Sequence, residues 1–303
     1  MSGFVDGPVR LTVPATSANL GPGFDSLGLA LDLRDELVGE VRPGGLEVEV
    51  EGPGAEALPR DERHLVVRAM RATFDRLDAH PPGLWLRCGN VVPHARGLGS
   101  SSAAIVGGIH LARALVRDGR ERLDDLAAFA LAADLEGHPD NVAPASLGGF
   151  VVSGRDDDGR WWAVPSPVDP RIAAVAFVPP EPVSTAVARA LLPAQVPHAD
   201  AAADAGRAAL LVAALAGRPD QLWRGTRDYL HQEQRRTAMP DSLALVDRLR
   251  SSGVAAVVSG AGPTVLALHD ATDPAATAGL LDRCPDGWAA HRLAVDPVGP
   301  RTG

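Results

Sequence analysis

A run of glycine and serine, PHARGLGSSSAAIVGG at residues 93–108, leads directly into an apolar helical pattern and carries almost no side chain that could perform chemistry alone. Glycine adopts dihedral angles that a Cβ forbids and lets the backbone approach a ligand closely. The free N–H groups and positive dipole end of the following helix form an anion site, and serine hydroxyls can coordinate Mg²⁺. The segment therefore predicts either a phosphate-binding loop or a tight strand-to-helix turn capped by serine.

Two further glycine-rich turns interrupt strand-like segments. Residues 14–31, PATSANLGPGFDSLGLAL, carry the polar residues Ser17, Asn19 and Asp25, and residues 259–264 read SGAGPT. Any globular protein needs turns, but three glycine-rich ones with polar side chains favour loops that surround a phosphorylated ligand. We therefore expect the three loops to converge in the fold.

The composition excludes several classes of phosphate-handling protein. The chain contains no lysine, so its lysine-plus-arginine count of 29 consists of arginine alone. A P-loop, a protein-kinase ATP site and a Schiff-base mechanism each require a lysine, and these three classes are excluded. The net charge of −9 disfavours an extended nucleic-acid surface, so no nucleic-acid partner is expected.

The sequence predicts a cytoplasmic protein without a membrane partner. No apolar stretch reaches the roughly 18–20 residues that span a bilayer. The first residues, MSGFVDGPVR, lack the basic start and apolar core of a signal peptide. Two cysteines are present, Cys88 and Cys284, and they could pair; two reduced thiols are the expectation in this compartment.

The pattern of elements favours an α+β fold of two domains. Strand-like segments between Gly/Pro turns fill much of the first third: RLTVPA, LGLALDL, LVGEVRP, LEVEVEG and GLWLRCGNVVP. Helical patterns begin near His64, Ser102 and Leu123. Strands and helices without regular βαβ spacing argue against a doubly wound sheet. Since the chain is too long for one ordinary core, we predict domains at 1–160 and 161–303.

The three glycine loops resemble the three motifs of the GHMP kinase superfamily, which includes galactokinase, homoserine kinase and mevalonate kinase. Within it, the first loop is most similar to the homoserine kinases, as are LEGHPDNVAPASLGGF at 135–150 and HQEQRRTAMP at 231–240. Mevalonate-type members carry a lysine in the first motif, where this chain has Thr16. The resemblance implies a ribosomal-protein-like N-terminal α+β domain and a ferredoxin-like C-terminal α+β domain.

The resemblance implies ATP and Mg²⁺ as cofactors, with the Gly/Ser loop wrapped around the ATP phosphates. Ser100 and Glu136 match the family's Mg²⁺ ligands, and Mg²⁺ is usually held by few protein oxygens. A helix dipole disfavours a carboxylate at a helix C-terminus, so the position of Glu136 favours a functional role. The implied ATP-binding residues are His64, Pro93, His94, Ala95, Arg96, Gly97, Leu98, Gly99, Ser100, Ser101, Ser102 and Ala103.

The acceptor implied by the resemblance is L-homoserine, which offers an ammonium group, a carboxylate and the reacting hydroxyl. Asp25 matches the family residue that holds the ammonium group, and Arg189 and Arg235 match the pair that holds the carboxylate. Arg236 is adjacent, so the register of the second arginine stays open. The implied substrate-binding residues are Asn19, Asp25, His138, Asn141, Thr185, Arg189, Arg235, Gly260 and Gly262. A homodimer is also implied.

The catalytic residues implied by the resemblance are Asn141, Asp140, Ser100 and Glu136. Mevalonate-type relatives use an aspartate as base, whereas homoserine kinases carry asparagine there, as this chain does at Asn141. We hypothesise that no dedicated strong base exists, because positioning and charge stabilisation can suffice for a loose phosphoryl-transfer transition state. Asp140 is the competing candidate base.

Two positions depart from the family pattern. The adenine-side segment has His64 where asparagine is usual, and Arg96 stands where a small residue is common. The Arg96 guanidinium either contacts phosphate or points to water.

Two alternative functions stay open. The same fold could act on another small alcohol, or it could be an inactive ligand sensor, although intact Ser100 and Glu136 argue against a sensor.

Overall fold

Two β-sheets organise residues 3–303, the part of the chain that the computed structural model describes. The strands are β1 (Val9–Asn19), β2 (Gly23–Arg42), β3 (Gly45–Glu51), β4 (Gly83–Gly89), β5 (Phe150–Arg155), β6 (Trp161–Ser166), β7 (Ile172–Val178), β8 (Ala255–Val258), β9 (Val265–Asp270), β10 (Ala289–Ala294) and β11 (Arg301–Thr302). The helices are α1 (Leu65–Arg76), α2 (Ser100–Leu115), α3 (Gly119–Arg122), α4 (Asp125–Glu136), α5 (Val142–Leu147), α6 (Thr185–Ala190), α7 (His198–Gly217), α8 (Leu222–Gly225), α9 (Pro240–Ser251) and α10 (Pro274–Leu281).

The first sheet follows the order β11-β1-β2-β4-β3, and β5 and β6 extend from β2. Its pairs are antiparallel except for β3 with β4. Helix α2 packs against α1 at Gly108, where a Cβ would lie 2.6 Å from the carbonyl oxygen of Val66, and against the first sheet at Gly107, where a Cβ would lie 2.5 Å from Cδ1 of Leu37. The first residue of α2, Ser100, directly follows the glycine loop.

The second sheet has four antiparallel strands in the order β10-β7-β9-β8. Strand β7, IAAVAFV, is buried at every position because both of its faces are covered. One face joins a cluster with Leu20 and Leu29 of the first unit, and the other packs on α9 through Leu243. The connection β-α-β-β-α-β is the ferredoxin-like arrangement that the resemblance implied. The predicted α+β fold is confirmed.

The sheet pairing bears on the predicted division at 160/161. That position falls inside the β5–β6 hairpin, whose two strands both belong to the first sheet. The chain also returns to the first sheet after β10, where Arg34 binds the buried carboxylate of Asp296 and donates to the Gly299 carbonyl oxygen at 2.7 Å. We propose that the first unit ends within 167–171 and includes residues 295–303.

Cys88 and Cys284 are both free thiols, and burial raises the pKa of the Cys88 thiol to about 12. Among residues 3–303, none of the helices combines the length and the apolar character needed to cross a membrane.

Asp204 on α7 makes the stability of the fold depend on pH. Its side chain is 3% exposed and accepts the N–H of Tyr229 at 2.9 Å, and burial raises its pKa to about 6. A raised carboxyl pKa favours folding while the group is protonated, and this contribution is lost as pH rises from about 4 to 6. We expect Asp204→Asn to raise the free energy of unfolding by about 1–2 kcal/mol at pH 8. Urea unfolding at pH 8 and pH 4 checks this; a gain that is equal at both pH values would contradict it.

Candidate active site

The three glycine loops converge on one point between the two units. Asn19 donates from Nδ2 to the carbonyl oxygen of Gly260 at 2.9 Å, which joins the first loop to the third. The Ser259 hydroxyl lies 2.8 Å from the Ser17 hydroxyl and 2.5 Å from the Gly97 carbonyl oxygen. The expected convergence is therefore observed, and hydrogen bonds between loops distant in the chain maintain it.

Glycine is required within the Gly/Ser loop because atoms of the other loops lie against it. Gly97 has φ +77°, and a Cβ there would lie 2.3 Å from the carbonyl oxygen of Ser259. Gly99 has φ +70°, and a Cβ there would lie 1.9 Å from the Thr16 hydroxyl. Positive φ and close contact both exclude a side chain at these two positions.

The N-terminus of α2 presents free N–H groups to a cleft. Gly99 is the N-cap and supplies no side chain to bind them, and the first helical bond runs from Ala103 N–H to the Gly99 carbonyl oxygen at 2.8 Å. The N–H groups of Ser100, Ser101 and Ser102 thus have no acceptor inside the helix. With the helix dipole, they form an anion site.

Two cavities meet at this helix end. The first, of about 600 Å³, is lined by both domains, including Asn19, Asp25, Gly97, Gly99, Glu136, His138, Asp140, Asn141, Thr185, Arg189, Arg235, Gly260 and Gly262. The second, of about 590 Å³, lies between α1 and α2 and is lined by His64, Asn90 and His94. Ser100 and Ser101 line both cavities, so an anion at the helix end would lie between them.

Opposite charges face each other across the first cavity. Arg189 donates to both carboxylate oxygens of Asp25, at 3.0 and 2.7 Å, and this ion pair raises the pKa of Arg189. Asp25 has φ +55°, and its N–H donates to the Asn19 amide oxygen at 3.0 Å. The ion pair thus joins the first loop to α6. Asp25 carries the charge that would attract an ammonium group, and Arg189 carries the charge that would attract a carboxylate.

Arg235 and Arg236 have different environments, which bears on the register left open above. The Arg235 side chain is 1% exposed and lines the first cavity. Arg236 points away from it and pairs with Glu233 at 2.7 Å and Asp247 at 3.1 Å. Burial lowers the pKa of Arg235. Arg235 is therefore the arginine placed at the cavity.

Glu136 ends α4 beside the start of α2. Its Oε1 accepts the hydroxyl protons of Ser101 at 2.6 Å and Ser102 at 3.0 Å, rather than that of Ser100. Carboxylate and hydroxyl oxygens are the hard donors that Mg²⁺ prefers, so Glu136 and Ser100 fit the ion that the resemblance implied. The serine contacts hold the carboxylate in place at the cavity wall.

Three polar residues follow α4 and reach the same cavity. His138 Nδ1 lies 3.0 Å from Asp140 Oδ1, and this hydrogen bond raises the pKa of His138. The Thr16 hydroxyl, at the position where mevalonate-type relatives carry lysine, donates to the Asn141 amide oxygen at 2.8 Å. Asn141 is therefore oriented by a neutral partner.

Arg96 and Leu98, two of the residues predicted at the ATP site, line neither of the two cavities. Leu98 is buried in the core with its side chain 1% exposed. The Arg96 guanidinium donates to the carbonyl oxygens of His94, Pro179 and Pro180. It therefore binds the chain itself, which is neither of the two alternatives stated above. Pro93, Ala95, Ser102 and Ala103 belong to the same loop and helix start.

Two aromatic rings, those of Phe24 and His231, pack beside the arginines, and no sequence pattern indicated them. Phe24 lies 5.6 Å from the guanidinium carbons of both Arg189 and Arg235, within cation–π range. The His231 ring lies 5.2 Å from the Phe24 ring. A strand phenylalanine is ordinarily a core residue, so its pattern alone could not indicate this position.

Comparisons with known proteins agree with the geometry. Residues 64–149 match the family model described as the GHMP kinases N terminal domain, and residues 207–280 match that of the GHMP kinases C terminal domain. The chain is 55% identical over 291 residues to a homoserine kinase of Streptomyces coelicolor, covering 96% of this chain and 93% of the relative. It is 48% identical to a homoserine kinase of Mycolicibacterium smegmatis, covering 96% and 92%.

Solved structures share the architecture. A homoserine kinase from Cytophaga hutchinsonii superposes with a TM-score of 0.84 at 26% identity, covering 100% of this chain and 99% of that one. A mevalonate kinase of L. major, in complex with R-mevalonate, has a TM-score of 0.76 at 20% identity, covering 99% and 100%. The second likeness concerns the fold alone.

Proposed function

The chain belongs to the homoserine kinases of the GHMP kinase family, and from this premise we propose that it transfers the γ-phosphoryl group of ATP to the side-chain hydroxyl of L-homoserine. The products are O-phospho-L-homoserine and ADP, which places the reaction in threonine biosynthesis. The observation that carries the proposal is one cavity in which an anion-binding helix end faces Asp25, Arg189 and Arg235. A phosphate and an amino acid can therefore lie side by side.

The Asp25–Arg189 pair supports an amino-acid acceptor. A zwitterion presents an ammonium group and a carboxylate. If Asp25 and Arg189 separate, the ammonium group can pair with Asp25 and the carboxylate with Arg189. We propose that homoserine enters by exchanging ion pairs, so that its ammonium group binds Asp25 and its carboxylate binds Arg189 and Arg235. Both members of the pair have side chains 37% exposed, so the acceptor can reach them from solvent.

Two parts of the site are suited to the negative charge of the nucleotide: the residues that would hold Mg²⁺ and the Gly/Ser loop. We propose that Ser100 and Glu136 hold Mg²⁺, which when bound neutralises charge on the nucleotide phosphates. The N–H groups at the start of α2 bind the phosphate oxygens. The partly buried Thr16–Asn141 hydrogen bond holds Asn141 at the cavity, where its amide orients the acceptor hydroxyl.

Removing the carboxylate of Asp140 tests the proposal that no dedicated base exists. One oxygen of Asp140 is already bound by His138, which supports a role in orienting that imidazole. We expect Asp140→Asn to lower kcat by less than about tenfold, since a general base contributes roughly 10²–10⁴. Steady-state kinetics measure this, with the exposed Asp78→Asn as control. A loss of about 10³ in kcat with KM preserved would make Asp140 the base.

His64 is proposed to bind the nucleotide base. Its ring is buried in the wall of the second cavity, and within residues 3–303 neither ring nitrogen has a hydrogen-bond partner. Burial lowers the pKa of His64, so the neutral ring offers one donor and one acceptor. We expect His64→Phe to stabilise the ligand-free protein and weaken MgADP binding about 5–20-fold. Calorimetry checks both, with the exposed His80→Phe as control; unchanged MgADP affinity would contradict the role.

The proposed function is tested by ADP release from MgATP with a panel of acceptors. The panel contains L-homoserine, L-serine, L-threonine, mevalonate and galactose. We expect turnover with L-homoserine to exceed that with each of the others. If another acceptor is preferred, the substrate assignment fails while the kinase assignment stands, and binding of nucleotide without any turnover would favour a sensor.

We also propose a homodimer located in the cytoplasm. Membership of the family supports both statements. Light scattering distinguishes a dimer from the monomer mass of 31.4 kDa.

A further inference from the structure

Arg235 is held by three contacts that leave part of its guanidinium free. Nε donates to the Ala188 carbonyl oxygen at 3.2 Å, and Nη1 donates to the Gly260 carbonyl oxygen at 3.3 Å. Nη1 also lies 2.9 Å from Nδ1 of His231. Among the hydrogen bonds within residues 3–303, Nη2 forms none, and Arg235 lines the first cavity. Nη2 is therefore the part of Arg235 available to a ligand.

The contacts of His231 determine where its proton lies. The side chain is buried, and Nε2 lies 2.8 Å from the carbonyl oxygen of Gly21. A carbonyl oxygen only accepts, and a guanidinium only donates. Hence Nε2 carries the proton, Nδ1 offers a lone pair to Arg235, and the ring is neutral.

The surroundings of the ring support the same protonation state. Asp228 Oδ1 lies 3.4 Å from Nε2, a second acceptor on the protonated side, while its carboxylate also accepts the N–H of Gln232 at 2.7 Å. The Phe24 ring covers the imidazole at 5.2 Å. The opposite tautomer would set an N–H against the guanidinium and leave the Gly21 carbonyl without its donor.

We propose that His231 is a positioning residue that aims Nη2 of Arg235 at the acceptor carboxylate. The inference rests on the proposed function for the identity of the ligand. Its carrying observation is a single ring that accepts from Arg235 on one side and donates to Gly21 on the other, across 210 residues of sequence. The contact with Gly21 fixes the tautomer of the ring, and that tautomer presents the Nδ1 lone pair to Arg235.

Two substitutions separate the two contacts. Asparagine places an amide oxygen near the position of Nδ1, so His231→Asn keeps an acceptor for Arg235. Glutamine places an amide nitrogen near the position of Nε2, so His231→Gln keeps the donor to Gly21 and loses the acceptor. Binding interactions that are equal in the ground and transition states appear in KM rather than kcat.

The test is steady-state kinetics with both substrates varied. We expect His231→Gln to raise KM for L-homoserine about 10–100-fold, with kcat and KM for MgATP within about threefold. His231→Asn should stay within about fivefold of wild type in KM for L-homoserine. The exposed His80→Gln is the matched control. An unchanged KM for L-homoserine in folded His231→Gln, or an equal rise in both KM values, would overturn the proposal.

A spectroscopic measurement on the wild-type protein decides the case if the variants fail to fold. Nitrogen-15 NMR of the His231 ring at pH 7 should show the proton on Nε2 and a bare Nδ1. A proton on Nδ1, or on both nitrogens, would overturn the proposal. Wild-type turnover of L-homoserine is read separately: its absence would remove the proposed function while leaving the tautomer result intact.

Discussion

Gly97→Ala is expected to lower kcat/KM for the acceptor by about 10²–10³, because misplacement of reacting groups by an ångström costs on this order. The new Cβ would lie 2.3 Å from the Ser259 carbonyl oxygen and 2.9 Å from that of Gly262. Both obstacles are backbone atoms, which cannot rotate away as the end of a side chain would. The glycine loop and the third loop must therefore separate, and the cavity between them loses its shape.

The matched control for this substitution is Gly287→Ala. Gly287 has φ +78°, close to the +77° of Gly97, but a Cβ there meets nothing within 4 Å. It carries the same backbone strain of about 1–2 kcal/mol without the contact. Kinetics and thermal unfolding of both variants separate strain from obstruction. Equal activity in the two variants would show that the loop contact does not shape the site.

Glu136→Gln is expected to lower kcat by about 10²–10³, the effect of losing one electrostatic contact to the transition state. Glutamine retains an oxygen that accepts from Ser101 and Ser102, so the local structure is preserved and only the charge is removed. The half-saturating Mg²⁺ concentration should rise in parallel.

A magnesium titration of kcat at saturating ATP measures both effects of the Glu136 substitution. Glu121→Gln, an exposed carboxylate on α3, is the control for removing one negative charge. A kcat within fivefold of wild type and an unchanged magnesium requirement would argue that Glu136 serves only to cap the serines.

The local sequence pattern predicted most elements but misjudged the length of one. LGLALDL and LVGEVRP were predicted as two separate strand-like segments. They form the single strand β2, which pairs with β1 along most of its length. Arg34, at the middle of this strand, is used to bind the returning C-terminal segment through Asp296. Tertiary contacts therefore override the polar pattern there.

The site itself depended on contacts that no local pattern contains. The resemblance assigned Asp25 and Arg189 separately to an ammonium group and a carboxylate, but in the structure they bind each other through two hydrogen bonds. His231 is the first residue of the motif HQEQRRTAMP, yet its proposed role depends on Gly21, 210 residues away. Arg96 likewise became interpretable only when the carbonyl oxygens of Pro179 and Pro180 were placed beside it.

The central claim is that the cavity recognises the two charges of L-homoserine beside the reacting hydroxyl. Its most direct test compares kcat/KM for L-homoserine with that for 3-amino-1-propanol, which lacks the carboxylate, in the wild type and in Arg235→Met. We predict that the wild type prefers L-homoserine by about 10³ or more. Arg235→Met should reduce this preference by at least about tenfold, because the contact between the Arg235 guanidinium and the L-homoserine carboxylate is lost. Comparable kcat/KM values for the two alcohols in the wild type would contradict the claim.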